Sequence, residues 1–174
     1  MENKSQKLLT SMQEYYKHRN RFSLIESIIN TNPSSNKVSL RLVDWLITNY
    51  SKSRNIVYSV NNNPFNIHQS YKNMLKAYSK RLFDPFRRHT RVYLEHEGTV
   101  LETTVAQLSF FKWAIQNDVL KYAMEHKDDI KFDMDLHTQH RNVNNLDERI
   151  KRKELSKSSK GANMYSVNIR VTFS

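Results

Sequence analysis

Two glycines in 174 residues, Gly98 and Gly161, limit what this chain can build. A phosphate-cradling loop of the Walker or dinucleotide type needs several glycines in close succession, and these two lie far apart. Cysteine is absent altogether. Disulfides, thiolate metal sites and a cysteine nucleophile are thereby excluded, and a reducing compartment fits. The length suits one domain with a hydrophobic core. No run approaches the ~20 apolar residues of a membrane-spanning helix, and the opening MENKSQKLLTSMQEYY lacks the apolar centre of an export signal.

The formal charge of +11 and the isoelectric point near 9.8 favour an anionic partner, nucleic acid or an acidic membrane surface. The distribution of that charge says more. Residues 71–91 carry seven cations against Asp84 alone, residues 92–135 four against nine acids, and residues 141–160 seven against three. Two basic segments thus flank an acidic one.

Apolar spacing predicts a helical region over 6–30, broken near His18, and a turn over 31–36. A helix follows over 38–52, with Ser39 as N-cap and Leu42, Val43, Leu46, Ile47 and Tyr50 on one face. NIVYSV (55–60) reads as a strand closed by NNNP. From Ile67 to Leu82 the apolar residues recur every three or four positions, predicting a helix stopped by Asp84-Pro85. Lys72, Lys76 and Lys80 fall at i, i+4 and i+8 on its neighbouring face. Strands near 91–95 and 99–103 flank Glu97-Gly98 as a hairpin. Thr104 and Gln107 have capping-box spacing before a helix over 104–126. Alternating apolar residues predict strands over 130–136 and 164–173. The expected fold is a single compact α+β domain: helices on a small, mostly antiparallel sheet, with the parts of a winged-helix arrangement. Residues 1–36 form an N-terminal helical extension, and 37–174 the main domain with a basic exposed loop at 137–163.

The phrases RLVDWLITNYSKSRNIVY, SYKNMLKAYSKRLFDPFRR, ETTVAQLSFFKWAIQNDVLKYAMEH and KRKELSKSSKGANMYSVNIRVTF resemble a family of small basic proteins of giant nucleocytoplasmic large DNA viruses. The resemblance covers residues 38–174, and the first ~35 residues look particular to this chain. The family has no assigned activity, so no catalytic residues carry over. Relatives are expected to hold a cysteine near the DPF motif where this chain has Arg87, which speaks against a redox or metal role there. The implied setting is the viral factory in the host cytoplasm, or the virion. The implied partners are DNA, viral RNA and other virion proteins.

The residues themselves nominate Lys72, Lys76, Lys80, Arg81, Arg87, Arg88 and Arg91 as phosphate contacts, and the resemblance to proteins of DNA viruses puts DNA ahead of RNA. Lysines one turn apart meet successive phosphates, and arginines add bidentate contacts. Lys151, Arg152, Lys153, Lys157 and Lys160 form a second basic element. The competing reading is a solvated lysine face, with the arginines paired to Glu95, Glu97 or Glu102. Tyr78, Phe83 and Phe86 suit base stacking, though aromatics at helical spacing more often build a core. Asp133, Asp135 and His137 would share one side of a strand, and Glu95-His96-Glu97 supplies further ligand types. Asp133, Asp135 and His137 alternate with apolar Phe132, Met134 and Leu136, so a solvent-facing polar edge explains them without a metal. Nothing resembles a nucleophile elbow, and no lysine or histidine is paired with these carboxylates as a nuclease would need, so the expectation is a non-enzymatic protein without cofactor. The rival function is a virion structural or protein-interaction component that assembles with itself or other viral proteins through complementary charge.

Overall fold

The computed structural model describes residues 4–30, 37–79, 81–86, 88 and 90–139. The chain divides into two units, Met1–Met134 and Asp135–Ser174. The described part of the second is residues 135–139, which are helical. The predicted strand over 164–173 and residues 140–163 of the predicted loop lie outside the described residues.

The first unit is an α+β fold. Helix α1 (Lys4–Tyr16) and helix α2 (Arg19–Ile29) are the two parts of the predicted helical region, divided at the break expected near His18. Their apolar faces place Met12, Tyr16, Phe22, Ile25 and Ile28 in the common core. The Tyr16 hydroxyl donates to the Leu108 carbonyl at 2.8 Å, satisfying a polar group that burial would otherwise leave unpaired.

Helix α3 (Leu40–Trp45) begins at Ser39, whose Oγ accepts from the Leu42 amide. It widens into a π-turn over Leu46–Tyr50 and resumes as α4 (Ser51–Arg54). A π-turn misaligns carbonyls from their usual amide partners. Thr48 Oγ1 donates to the Asp44 carbonyl, and Ser51 Oγ to that of Ile47. His68 Nδ1 lies 3.1 Å from the same Ile47 oxygen.

The NNNP run does more than close a strand. Strands β1 (Val57–Val60) and β2 (Asn63–Asn66) pair antiparallel, with Val60 opposite Asn63. Asn61 and Asn62 both adopt positive φ, as a two-residue primed turn requires. Strands β3 (Arg91–His96) and β4 (Thr99–Thr104) form the hairpin foreseen around Glu97-Gly98. Among the described residues the strands make two separate two-stranded sheets and not one shared sheet.

Helix α5 (Ile67–Ala77) is capped by Asn66, which accepts from the Gln69 amide at 2.9 Å. Helix α6 (Val105–Gln116) is buried on nearly every side and forms the centre of the fold, as expected of a helix apolar all round. The predicted helix over 104–126 is divided: Asp118 takes a left-handed conformation, φ +54°, before α7 (Val119–Glu125).

The predicted strand over 130–136 is helical, within a helical stretch at 127–139. Alternation misled because Phe132 and Leu136 are exposed, at 70% and 43%. The sheltered positions are Ile130, Asp133 and Met134, which have three- and four-residue spacing.

Candidate nucleic-acid interface

Helix α5 turns Ile67, Tyr71, Met74 and Leu75 toward the core and leaves Lys72 and Lys76 exposed one turn apart. Neither lysine, nor the exposed Arg81, makes an ion pair with a described residue. The predicted three-lysine stripe is shorter than expected, because α5 stops at Ala77. Tyr78 is extended, at φ −121° and ψ 139°, and its amide donates to the Met74 carbonyl. Its ring stacks on Phe83, centroids 6.3 Å apart. Packing of Tyr78 on Phe83 thus accompanies the helix end seven residues before Asp84. An i+8 position on α5 therefore does not exist. Lys80 and Arg87 themselves lie outside the described residues, as do Lys151, Arg152, Lys153, Lys157 and Lys160.

Beyond the helix the chain folds back on α6. The Asp84 amide donates to the Ala106 carbonyl at 3.3 Å. The buried Gln107 Nε2 donates to the Pro85 carbonyl at 2.7 Å, while Gln107 Oε1 accepts from Thr103 Oγ1. The Gln107 amide donates to Thr104 Oγ1, so the N-cap half of the capping box forms. Its glutamine side chain is used to dock the Asp84-Pro85 turn. The Asp84 carboxylate accepts from the Phe86 amide at 3.0 Å and faces Arg88 Nε at 3.5 Å.

Asp84, Arg88, Tyr71 and Asp44 border a small pocket of about 120 Å³. Burial raises the Asp44 carboxyl above its ordinary value, Arg88 opposes the rise and Asp84 adds to it. Tyr71 is raised chiefly by burial, with Asp44 and Asp84 adding and Arg88 opposing. Arg88 also lies over the Phe86 ring, 4.8 Å from its centroid. Arg91 Nε lies 3.0 Å from Glu102 across the hairpin. The described arginines after Pro85 are thus engaged with acids, as the competing sequence reading anticipated for Arg91.

Of the three candidate stacking residues, Phe83 is fully buried and packs on Phe110 and Trp113. Tyr78 is half-buried against Phe83, and Phe86 is partly covered beside Arg88. Trp113 is in the core. Trp45 packs against it and donates from Nε1 to Asp133 Oδ2 at 2.9 Å, and Arg54 approaches the other Asp133 oxygen at 3.4 Å. On a helix, Asp133 and Asp135 are about 200° apart and do not share the side that a strand would have given them. At the other nominated cluster, Glu97 pairs with Arg19 at 3.2 Å, and His96 packs on Phe22. In the sequence Gln107 carries only the signal of a capping residue. Its second role depends on a segment 22 residues away, which no local pattern reveals.

No solved structure matches this chain. An uncharacterised protein, L507, of Acanthamoeba polyphaga mimivirus is 37% identical over 107 residues, 56% of this chain and 41% of the mimivirus protein. The chain therefore spans well under half the length of that relative. A family match runs over residues 1–174, so it includes the N-terminal stretch that looked particular to this chain. The protein belongs to DUF7197, a family of unknown function.

Proposed function

We propose that this chain is a non-enzymatic viral nucleic-acid-binding protein that contacts mainly the phosphate backbone, with DNA ahead of RNA. The observation that carries the proposal is the outward face of α5, where Lys72 and Lys76 stand exposed one turn apart without a described acidic partner, followed by exposed Arg81. Phosphate contacts of this kind position a protein without reading sequence, so recognition is weakly specific. The mimivirus relative supports the viral setting. Genome organisation, transcription or packaging, in the viral factory or the virion, are the roles such binding serves.

Fluorescence polarisation with labelled duplex DNA, single-stranded DNA and RNA tests this at several salt concentrations. The comparison is with a variant in which Lys72, Lys76 and Arg81 are all alanine. Each lost contact to duplex DNA is expected to reduce the slope of log affinity against log salt by about 0.9. Binding that is absent, or unchanged in the variant, overturns the proposal. The outer face of the β3–β4 hairpin, where Tyr93 and Val100 are 61% and 59% exposed, supports the alternative of a protein-interaction component.

A further inference from the structure

A cleft of about 350 Å³ opens where α1, α5 and α6 meet. Its volume falls in the range of small-molecule sites. Leu8, Met12, Met74, Trp113 and the Tyr78 ring form its apolar wall, and Ser11, Ser109, Lys112 and Gln116 add polar side chains. Lys112 is half-buried and makes no ion pair with a described carboxylate. Its ammonium lies 5.0 Å from the centroid of the Tyr15 ring, a contact that holds the cation beside the cleft without neutralising it. A sheltered cation without a counter-ion among the described residues favours an anion that arrives with its own apolar body.

The shape of that body follows from which surfaces are free. The Tyr78 ring stacks on Phe83, and the Trp113 ring packs against Phe65, Tyr71, Phe83 and Phe110. Trp113 Nε1 is committed to Ser70 Oγ. The cleft therefore offers no pair of open ring faces between which a nucleobase would stack. Leucine and methionine side chains remain, and these adapt to a flexible alkyl chain. We infer that the α1–α5–α6 cleft binds a linear aliphatic carboxylate, its chain against Leu8, Met12 and Met74 and its head on Lys112. This site is independent of the cations proposed for nucleic acid.

Decanoate, kept below the concentration at which it self-associates, is the probe, and decanol is its uncharged counterpart. Calorimetric titration of the full chain is expected to show one saturable decanoate site and weaker decanol binding. In a Trp45→Phe background Trp113 is the single tryptophan, and its emission should change with the same midpoint. Lys112→Met keeps an apolar stem and removes the charge. It should weaken decanoate roughly tenfold, the scale of one charge-assisted hydrogen bond, and leave decanol unchanged. Ser11→Trp, a change at an exposed rim position, should block both ligands while thermal unfolding remains cooperative. Absence of a saturable decanoate site in the unchanged chain overturns the inference. So does equal decanoate affinity in the folded Lys112→Met variant.

Discussion

Between Tyr71 and Ala77 the cations project from a helix and meet no described carboxylate, whereas Arg88 and Arg91, beyond Pro85, each lie against an acid. The difference comes from backbone geometry. A helix with one face in the core must present its opposite face to water, so Lys72 and Lys76 are held outward. A segment that folds back over the protein instead brings its side chains to carboxylates already there: Asp84 in its own turn, and Glu102 on the neighbouring strand. A charge count over 71–91 merges these two populations. Their separation predicts which cations a polyanion meets at once and which it must first take from an internal partner.

The sharpest way to break the distinction is to release the folded-back segment. Phe83 anchors it in the core at 1% exposure. Phe83→Ala is expected to cost about 3–5 kcal/mol in urea unfolding, from lost burial and the cavity left behind. Amide exchange in the surviving native state should rise most around 78–86. A loss below ~1 kcal/mol would mean that core packing of this ring does not hold the segment in place.

A second test uses the pocket behind Arg88. The Asp44 carboxyl is raised by burial, so the folded state binds its proton more tightly than the unfolded chain does. Stability contributed at this position therefore increases as pH falls from the raised folded value toward the ordinary one near 3.8. Ionised Asp44 is a net cost near neutrality. Asp44→Asn is expected to stabilise the protein at pH 7, with the advantage shrinking on acidification and gone below the ordinary value. Urea denaturation across pH checks the sign. An advantage that grows on acidification would make Asp44 an ion-pair partner of Arg88 whose charge is favourable.

A smaller effect on stability, and a larger one on binding, is expected of Asp84→Asn. Asparagine retains the oxygen that accepts from the Phe86 amide, so the turn is kept, but the counter-ion of Arg88 is lost. Arg88 is largely exposed, which limits the stability change to roughly 0–1 kcal/mol. Polarisation titrations with duplex DNA should show tighter binding and a salt slope steeper by about 0.9, as one further cation becomes available. An unchanged slope would place Arg88 away from the nucleic acid altogether.

Helices α3 and α6 and the β3–β4 hairpin are legible because their signals are local. Ser39 and Thr104 accept from the amides three residues on, and Glu97-Gly98 supplies the positive φ that its turn requires. What escaped was set by partners distant in sequence. The end of α5 goes with the packing of Tyr78 on Phe83, although apolar spacing continues as far as Leu82. The second function of Gln107 depends on Pro85. Asn61 and Asn62 form the hairpin turn, but in sequence the NNNP run signals no more than a strand end until the partner strand Asn63–Asn66 is known. In 130–136 two periods coexisted, and burial of Ile130 with exposure of Phe132 decides between them. The pairing of Arg91 with Glu102 was foreseen as one of several options, since hairpin register brings the two strands together but does not dictate which acid is met.

That pairing gives the finest test of the comparison. Arg91 and Glu102 are both partly exposed, and each has further interactions within the fold. Arg91→Ala is expected to cost about 0.2–1 kcal/mol, the range of a cross-strand pair. It should leave duplex DNA affinity and salt slope unchanged, because the guanidinium is already neutralised. Lys76→Ala should do the reverse: stability within about 0.5 kcal/mol of the parent, and a salt slope shallower by about 0.9. The two variants remove the same charge from the same stretch of sequence. If both reduce the slope equally, ion pairing inside the protein does not protect an arginine from the polyanion. The division between free and engaged cations would then fail as a guide to this surface.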